Sequence, residues 1–454
     1  MRSYCTLLAA GLSLCISACR RDAPSAPVMP TGPVTQGEIN SWISDSMHYF
    51  YLWNQQLPPK PDTGLAPLHF FSSLRNSADP FSSLYNPDDA STLQTSLYTN
   101  FGIDISIISF PASASGAIAV VKLAAANSYA ASKFSRGSYI TRINNTPITT
   151  ANASQLVAQI MQDKTGLFTP ATVANGIVTE AAAVQLDFGY PRDQSVYTTT
   201  LVSSNKKIGY LYYNSFNDNY NTDLVNIFRK YITTGITDLI LDLRYNTGGS
   251  IAASALLSAL ITDGINEGST YIQLTGNNIQ GSYKMSFGET MAVPESGIPV
   301  KFADISSARL KLAKVYILTS HQTISAAELT INNLKPYTKV IQIGGTTYGK
   351  DKGTIIVRDK RNPKRISWVL QPITFQLSNA SGQGGYTQGL VADYPIDEMS
   401  KQPLVALGDP GDPLIAKAIS LITGNGRGAT SESRVTTYFQ APVIVNEVVI
   451  PRKK

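Results

Sequence analysis

The stretch HQTISAAELTINNLKPYTKVIQIGGTTYGK, His321 to Lys350, carries three groups able to take part in acyl transfer: an imidazole, a hydroxyl and an amine. Ser325 with Glu328 three residues later fits the capping box that opens a helix. A serine at a helix start also stands beside free backbone N–H groups and the positive end of the helix dipole, which stabilise an oxyanion. The cap and the nucleophile are compatible readings of the same residue; a nucleophile additionally needs a base. His321 lies four residues before Ser325 across a strand-to-helix turn and reaches it only through a contorted loop. His48 and His69 fall in an N-terminal helical region. A Ser-His-Asp triad is therefore disfavoured, and no histidine pair has metal-ligand spacing. Lys350 is either a solvated strand-end cation or, if buried, the base of a Ser–Lys dyad, because burial disfavours the charged amine. Gly248 and Gly249 form a tight turn whose bare backbone can also approach a scissile carbonyl.

These residues need a scaffold that brings distant loops together. From about Ser204 the chain alternates strand and helix. IGYLYYNSF reads as a strand, and Leu224, Val225, Phe228, Tyr231 and Ile232 form one helical face ended by Gly235. DLILDLR is apolar enough for burial on both faces. Ser250 caps an apolar helix, and KVYILTS and KVIQIGG repeat the scheme. TIIVRD and ISWVLQPITFQL flank KRNPK as a hairpin, and Asp412-Pro413 opens a last helix. In such sheets the reactive groups collect in loops beyond the strands' C-terminal ends. Three loops qualify: Asn246–Ser250, His321–Ser325 and Tyr348–Lys352.

The remaining chain divides by composition. Its 454 residues suggest more than one domain, and 43% hydrophobic and 15% charged residues suit a globular protein. A formal charge of +6 with scattered basic residues gives no nucleic-acid stripe. Cys5, Cys15 and Cys19 all lie in the first twenty residues. Arg2 and the apolar Thr6–Ala18 run read as a secretory leader, too short to span a membrane. Ile16-Ser17-Ala18-Cys19 resembles the bacterial lipobox, which implies cleavage before Cys19 and its acylation. Residues 1–18 are thus expected to be a lipoprotein signal peptide and 19–36 a tether. A small helical region follows over 37–95, opened by Thr35-Gln36-Gly37-Glu38. A β-rich segment spans 96–204, the α/β core 205–425, and 426–454 is a tail with a candidate edge strand in VTTYFQAPVIVNEVVI.

The β-rich segment resembles a PDZ domain. Phe101-Gly102-Ile103 matches its opening loop, Ala130-Ala131 its short helix, and Arg136-Gly137-Ser138 with Ile143-Asn144-Asn145 its later turn. Ser138 stands where Asp is usual and Asn145 where Gly is usual. The resemblance implies that an extended peptide adds to the sheet edge with its carboxylate at Phe101–Ile103.

Three core motifs carry a stronger resemblance. They are Leu239-Ile240-Leu241-Asp242-Leu243-Arg244-Tyr245-Asn246-Thr247-Gly248-Gly249, Ser325-Ala326-Ala327-Glu328, and Gly344-Gly345-Thr346-Thr347-Tyr348-Gly349-Lys350. In this order, with Lys350 twenty-five positions after Ser325, they resemble the C-terminal processing peptidase (tail-specific protease) family of serine–lysine endopeptidases. The resemblance covers roughly 100–424. It implies a multi-domain α/β fold, a crotonase-like ββα protease core with an inserted PDZ-like domain. Ser325 would be the nucleophile, Lys350 the general base and Glu328 a polar group beside them. Gly248, Gly249 and Ala326 would form the oxyanion hole. No cofactor or metal is implied. The partners would be protein or peptide substrates held by their C-terminal tails, on a lipid-anchored bacterial envelope protein. Thr354 stands where some relatives carry glutamine, and Asp351-Lys352 intervene before Gly353. These departures motivate the alternative of a catalytically inactive peptide-binding lipoprotein of the same fold.

Overall fold

The computed structural model describes residues 32–189, 196–424 and the strand at 437–440. The three cysteines, the expected leader and lipidation site Cys19, and the rest of the C-terminal stretch lie outside the described residues. Among the described residues no helix is long and apolar enough to cross a membrane.

The Gln36–Phe50 helix starts at Thr35, whose side chain accepts from the Glu38 N–H. Its Ile43, Met47 and Phe50 pack on Phe70, Phe71 and Leu74 of the Pro67–Leu74 helix within the main hydrophobic core. The N-terminal region is not wholly helical. Ser83–Tyr85 is a strand that pairs with Val369–Gln371, stitching the region to the core. Glu38 adds a charged clasp, accepting from the guanidinium groups of Arg361 and Arg365.

A second hydrophobic core belongs to the β-rich segment. Ile103–Ser109 and Ala117–Ala124 form an antiparallel pair, followed in the sheet by Tyr139–Ile143 and Thr165–Ala174. Asn144 and Asn145 turn between strands at φ 49° and 61°, the left-handed backbone that asparagine tolerates. Leu156, Val157 and Ile160 of the Ala153–Asp163 helix share this core with Ile103, Ile105 and Ile107. Thr437–Gln440, in the expected edge strand, pairs antiparallel with Ile103–Ser109. Val196–Ser203 pairs with Lys206–Tyr213 in the large sheet. The core sheet therefore begins before residue 204, and this hairpin straddles the boundary read from composition.

The large sheet runs Tyr394–Pro395, Lys339–Gly344, Lys314–Thr319, Asp238–Asp242, Lys206–Tyr213, Val196–Ser203. Its first five strands are parallel. The Ile251–Ile261 helix is buried along all 11 of its residues, as an apolar all-round sequence requires. The helix Ala326–Leu334 is buried beside it, contributing Ala326, Ala327, Leu329, Ile331 and Leu334 to the same core. A four-stranded antiparallel sheet, 282–286, 270–275, 373–378 and 352–354, closes the other side. KRNPK does lie between paired strands, Val357–Arg358 against Val369–Gln371.

Candidate active site

The three reactive loops follow three adjacent parallel strands, so sheet order alone gathers them. The turn 243–250 follows Asp238–Asp242, the loop 320–325 follows Lys314–Thr319, and the loop 345–351 follows Lys339–Gly344. Backbone hydrogen bonds then fix their mutual positions. The Ile324 N–H donates to Asn246 O at 2.9 Å, and the Tyr348 N–H to Thr323 O at 3.1 Å. The Thr323 hydroxyl donates to Leu243 O at 2.8 Å.

Ser325 is buried and sits at φ 59°, ψ −115°, a backbone conformation that costs a non-glycine residue of order 1–3 kcal/mol. Its Oγ makes no cap bond to the helix and has no hydrogen-bond partner. The carboxylate half of the expected capping box is present: the Ser325 N–H donates to Glu328 Oε2 at 2.9 Å.

Glu328 is the hub. Its Oε2 also accepts the Lys350 N–H at 2.9 Å, so the Ser325 and Lys350 amides share one oxygen atom. Its Oε1 accepts the Thr347 hydroxyl and the Gly349 N–H, each at 2.6 Å. Burial raises the Glu328 carboxyl above its ordinary range, and the bonds from Thr347, Ser325, Gly349 and Lys350 pull it only part of the way back. Lys350 is fully buried, and its Nζ lies 5.4 Å from the centroid of the Phe81 ring. The N-terminal region thus supplies a wall of the site. Gly349 is required by its φ of 109°, and a Cβ there would meet Thr387 O at 2.4 Å.

Asp351, adjacent to Lys350 in sequence, turns its Oδ1 to the Lys352 ammonium at 2.6 Å. Its Oδ2 is buried without a partner, as is the Tyr386 hydroxyl. Burial, followed by the charges of Glu328 and Asp351, raises the Tyr386 phenol well above its ordinary value. Thr354, at the position of the relatives' glutamine, is buried.

In the Asn246–Ser250 turn, Gly248 and Gly249 have φ 101° and 128°. The Gly248 N–H is committed to Asn246 Oδ1 at 2.9 Å, and the Ser250 N–H to Phe216 O at 2.8 Å. The Gly249 N–H stands outside that set. A Cβ on Gly249 would meet Phe216 O at 2.3 Å, so only glycine lets the turn lie this close. Ala326 opens the Ala326–Leu334 helix and is buried.

His321 is exposed and stacks on Tyr348 at 5.1 Å. The remaining histidines, His48 and His69, are exposed on the N-terminal helices. No group of three or more His, Cys, Asp or Glu suited to a metal ion occurs among the described residues.

Phe101 ends the short Leu97–Phe101 helix and Gly102 caps it at φ 82°. The Gly102 N–H is spent on Leu97 O and Tyr98 O. Ile103 begins the Ile103–Ser109 strand and is buried.

Sequence reading missed two polar clusters. Lys122 Nζ pairs with Asp104 Oδ2 at 2.9 Å and donates to Gln322 Oε1, three residues before Ser325. Arg244, fully buried, pairs with Asp242 Oδ2 at 2.7 Å and Asp412 Oδ2 at 2.8 Å. Arg136 joins the latter cluster through Glu398 and Asp412, and Tyr245 donates to Glu398. Apart from Asp242 and Arg244, these partners lie far apart in sequence, up to 276 positions for Arg136 and Asp412 (412 − 136), beyond any local pattern.

Family models for the peptidase S41 N-terminal domain and for peptidase family S41 match residues 38–83 and 207–396 respectively, together just over half of the chain. The chain belongs to peptidase family S41. This S41 chain is 25% identical over 214 residues to a "Probable CtpA-like serine protease" of Staphylococcus epidermidis, covering 46% of its own length and 38% of the relative's. It is 27% identical over 144 residues to the chloroplastic carboxyl-terminal-processing peptidase 1 of Arabidopsis thaliana, covering 32% and 25% of the two chains. The S41 chain thus spans well under half the length of these curated relatives. A crystal structure of a candidate S41 protease from Bacteroides fragilis shares its fold, with TM-score 0.68, 24% identity, and coverage of 87% and 99% of the two chains.

Proposed function

We propose that this protein is a serine endopeptidase that cleaves unstructured or C-terminal protein segments, with Ser325 as nucleophile and Lys350 as general base. The observation that carries the reading is the Ser325 hydroxyl. It is buried, unpartnered and held on a strained backbone, and the Ser325 and Lys350 amides share one carboxylate oxygen. Strain held in place by its surroundings is typical of reactive residues.

In this reading the neutral Lys350 amine takes the Ser325 proton as Oγ attacks the scissile carbonyl carbon. The oxyanion meets the Gly249 and Ala326 amides. The amine then gives its proton to the leaving nitrogen, the C–N bond breaks, and water later hydrolyses the acyl-serine along the same proton route. Glu328 touches no substrate; it positions both dyad residues. The β-rich segment serves as a PDZ-like module receiving an extended tail along Ile103–Ser109, and Cys19 carries the lipid that anchors the protein at the bacterial envelope.

Ser325→Ala or Lys350→Ala should abolish cleavage of an unfolded model protein while the unfolding midpoint stays near the parent's. A covalent serine-reactive probe should map to Ser325. Full activity in Ser325→Ala overturns the assignment. Tail-peptide binding without turnover in the parent favours the inactive peptide-binding lipoprotein, for which the Asp351-Lys352 insertion and Thr354 speak.

A further inference from the structure

Ile103–Ser109 pairs with Ala117–Ala124 on one side. Its other edge is taken by four residues from the far end of the chain, in the register Ser106 opposite Gln440, Ile107 opposite Phe439 and Ile108 opposite Thr437. We propose that this edge is a strand-docking surface whose resident ligand is the protein's own Thr437–Gln440 segment, a built-in competitor for incoming extended peptides. The inference rests on the reading of Ile103–Ser109 as the substrate-docking strand.

Three observations support it. An unpaired edge offers a row of N–H and C=O groups to any extended chain, and backbone bonding takes little account of sequence. The resident strand is antiparallel and short, and its register shifts between Ile107 and Ile108, so it covers only the later part of a seven-residue strand. About a dozen residues separate Gly424, the cap of the last helix, from Thr437. Because the segment belongs to the same chain, its pairing is intramolecular, at an effective concentration of order 1 mM. Such a ligand excludes weak competitors yet yields to an extended substrate that pairs with more of the strand. The occupant the edge fits is thus an extended segment recognised mainly through its backbone.

The test uses the full chain carrying Ser325→Ala, so that a probe survives whether or not the protein cleaves. The probe is a fluorescent peptide with the sequence RVTTYFQA, residues 434–441. A second chain adds Tyr438→Pro and Phe439→Pro. Alternate amides of a strand face its neighbour, so this pair removes a facing donor in either register. The proline chain should bind the probe at least about fivefold more tightly, as expected when a ~1 mM competitor is withdrawn. Exchange of those Ser106–Ile108 amides that face the resident strand should also quicken in that chain, while the amides facing Ala117–Ala124 stay protected. Equal affinity for both chains overturns the self-occupancy. Absence of binding by either chain overturns the docking surface itself. Rapid exchange of the same Ser106–Ile108 amides in the parent does the same for self-occupancy, without reference to the proline variant. Cleavage by the Ser325 chain is scored separately, so failure of the protease reading leaves these outcomes intact.

Discussion

Glutamine is the mildest replacement for most glutamates, but it should be damaging at Glu328. Each carboxylate oxygen accepts two donors: Ser325 N–H and Lys350 N–H on Oε2, Thr347 hydroxyl and Gly349 N–H on Oε1. An amide turns one oxygen into NH2 and points its hydrogens at two donors, whichever way it faces. Two bonds to a charged acceptor, worth roughly 1.5–3 kcal/mol each, are lost, giving about 3–6 kcal/mol. Folded proteins hold only about 5–15 kcal/mol in total. Glu328→Gln should therefore lower the urea midpoint markedly and be no milder than Glu328→Ala, which removes the acceptors without adding opposed donors. Because a misplacement of about 1 Å costs on the order of 100-fold, kcat on an unfolded substrate should fall at least that far, with KM little changed. Protonation should impair activity without the same loss of stability. Burial holds this carboxyl above its ordinary range, so the native state takes up the proton more readily than the unfolded chain does. Lowering the pH through this range then favours the fold through this group while setting an O–H against the same donors. Activity should decline in mild acid before structure does. A Glu328→Gln protein with activity within threefold of the parent and an unchanged midpoint would refute the hub.

Two further outcomes test the scaffold. Gly349→Ala combines a left-handed backbone with a 2.4 Å approach to Thr387 O, and should cost at least about 2 kcal/mol in thermal unfolding while displacing Lys350; an unchanged midpoint excludes the strain. At Asp359 burial raises the carboxyl, but the Arg361 guanidinium and the amides of Arg361, Ile366 and Arg365 outweigh it and hold the group well below the ordinary carboxylate range. Its stabilisation is therefore present above about pH 4 and lost only in strong acid, as pH falls through the folded value. Asp359→Asn should cost about 2 kcal/mol at pH 7 in urea unfolding and progressively less below pH 3, and a pH-independent penalty contradicts the ion pairing.

The reach of sequence reading follows the range of the interactions. Strand-to-helix alternation and the three motifs were legible because each is local, and parallel sheet order then assembles their loops. The capping box was half legible: the spacing reveals Glu328 accepting from Ser325, but not the φ of 59° at a serine whose hydroxyl makes no cap bond. The Asp351-Lys352 departure was legible as two extra residues, but not the 2.6 Å ion pair between them. Val196–Ser203 alternates like its neighbours, and only its pairing reveals the sheet it joins. Phe81 beside Lys350 left no trace, since nothing within the chain separation links the two.

The Arg244 guanidinium touches Asp242 from its own strand end, Asp412 from the start of the last helix and Glu398 from the segment between. Arg136, from the β-rich segment, reaches the same two acids, Glu398 and Asp412. Removing either guanidinium leaves buried carboxylates short of counter-charge, at a cost of roughly 3–5 kcal/mol. If a surface loop were cut, this knot of opposite charges, drawn from segments far apart in sequence, would keep the severed fragments clamped as one body.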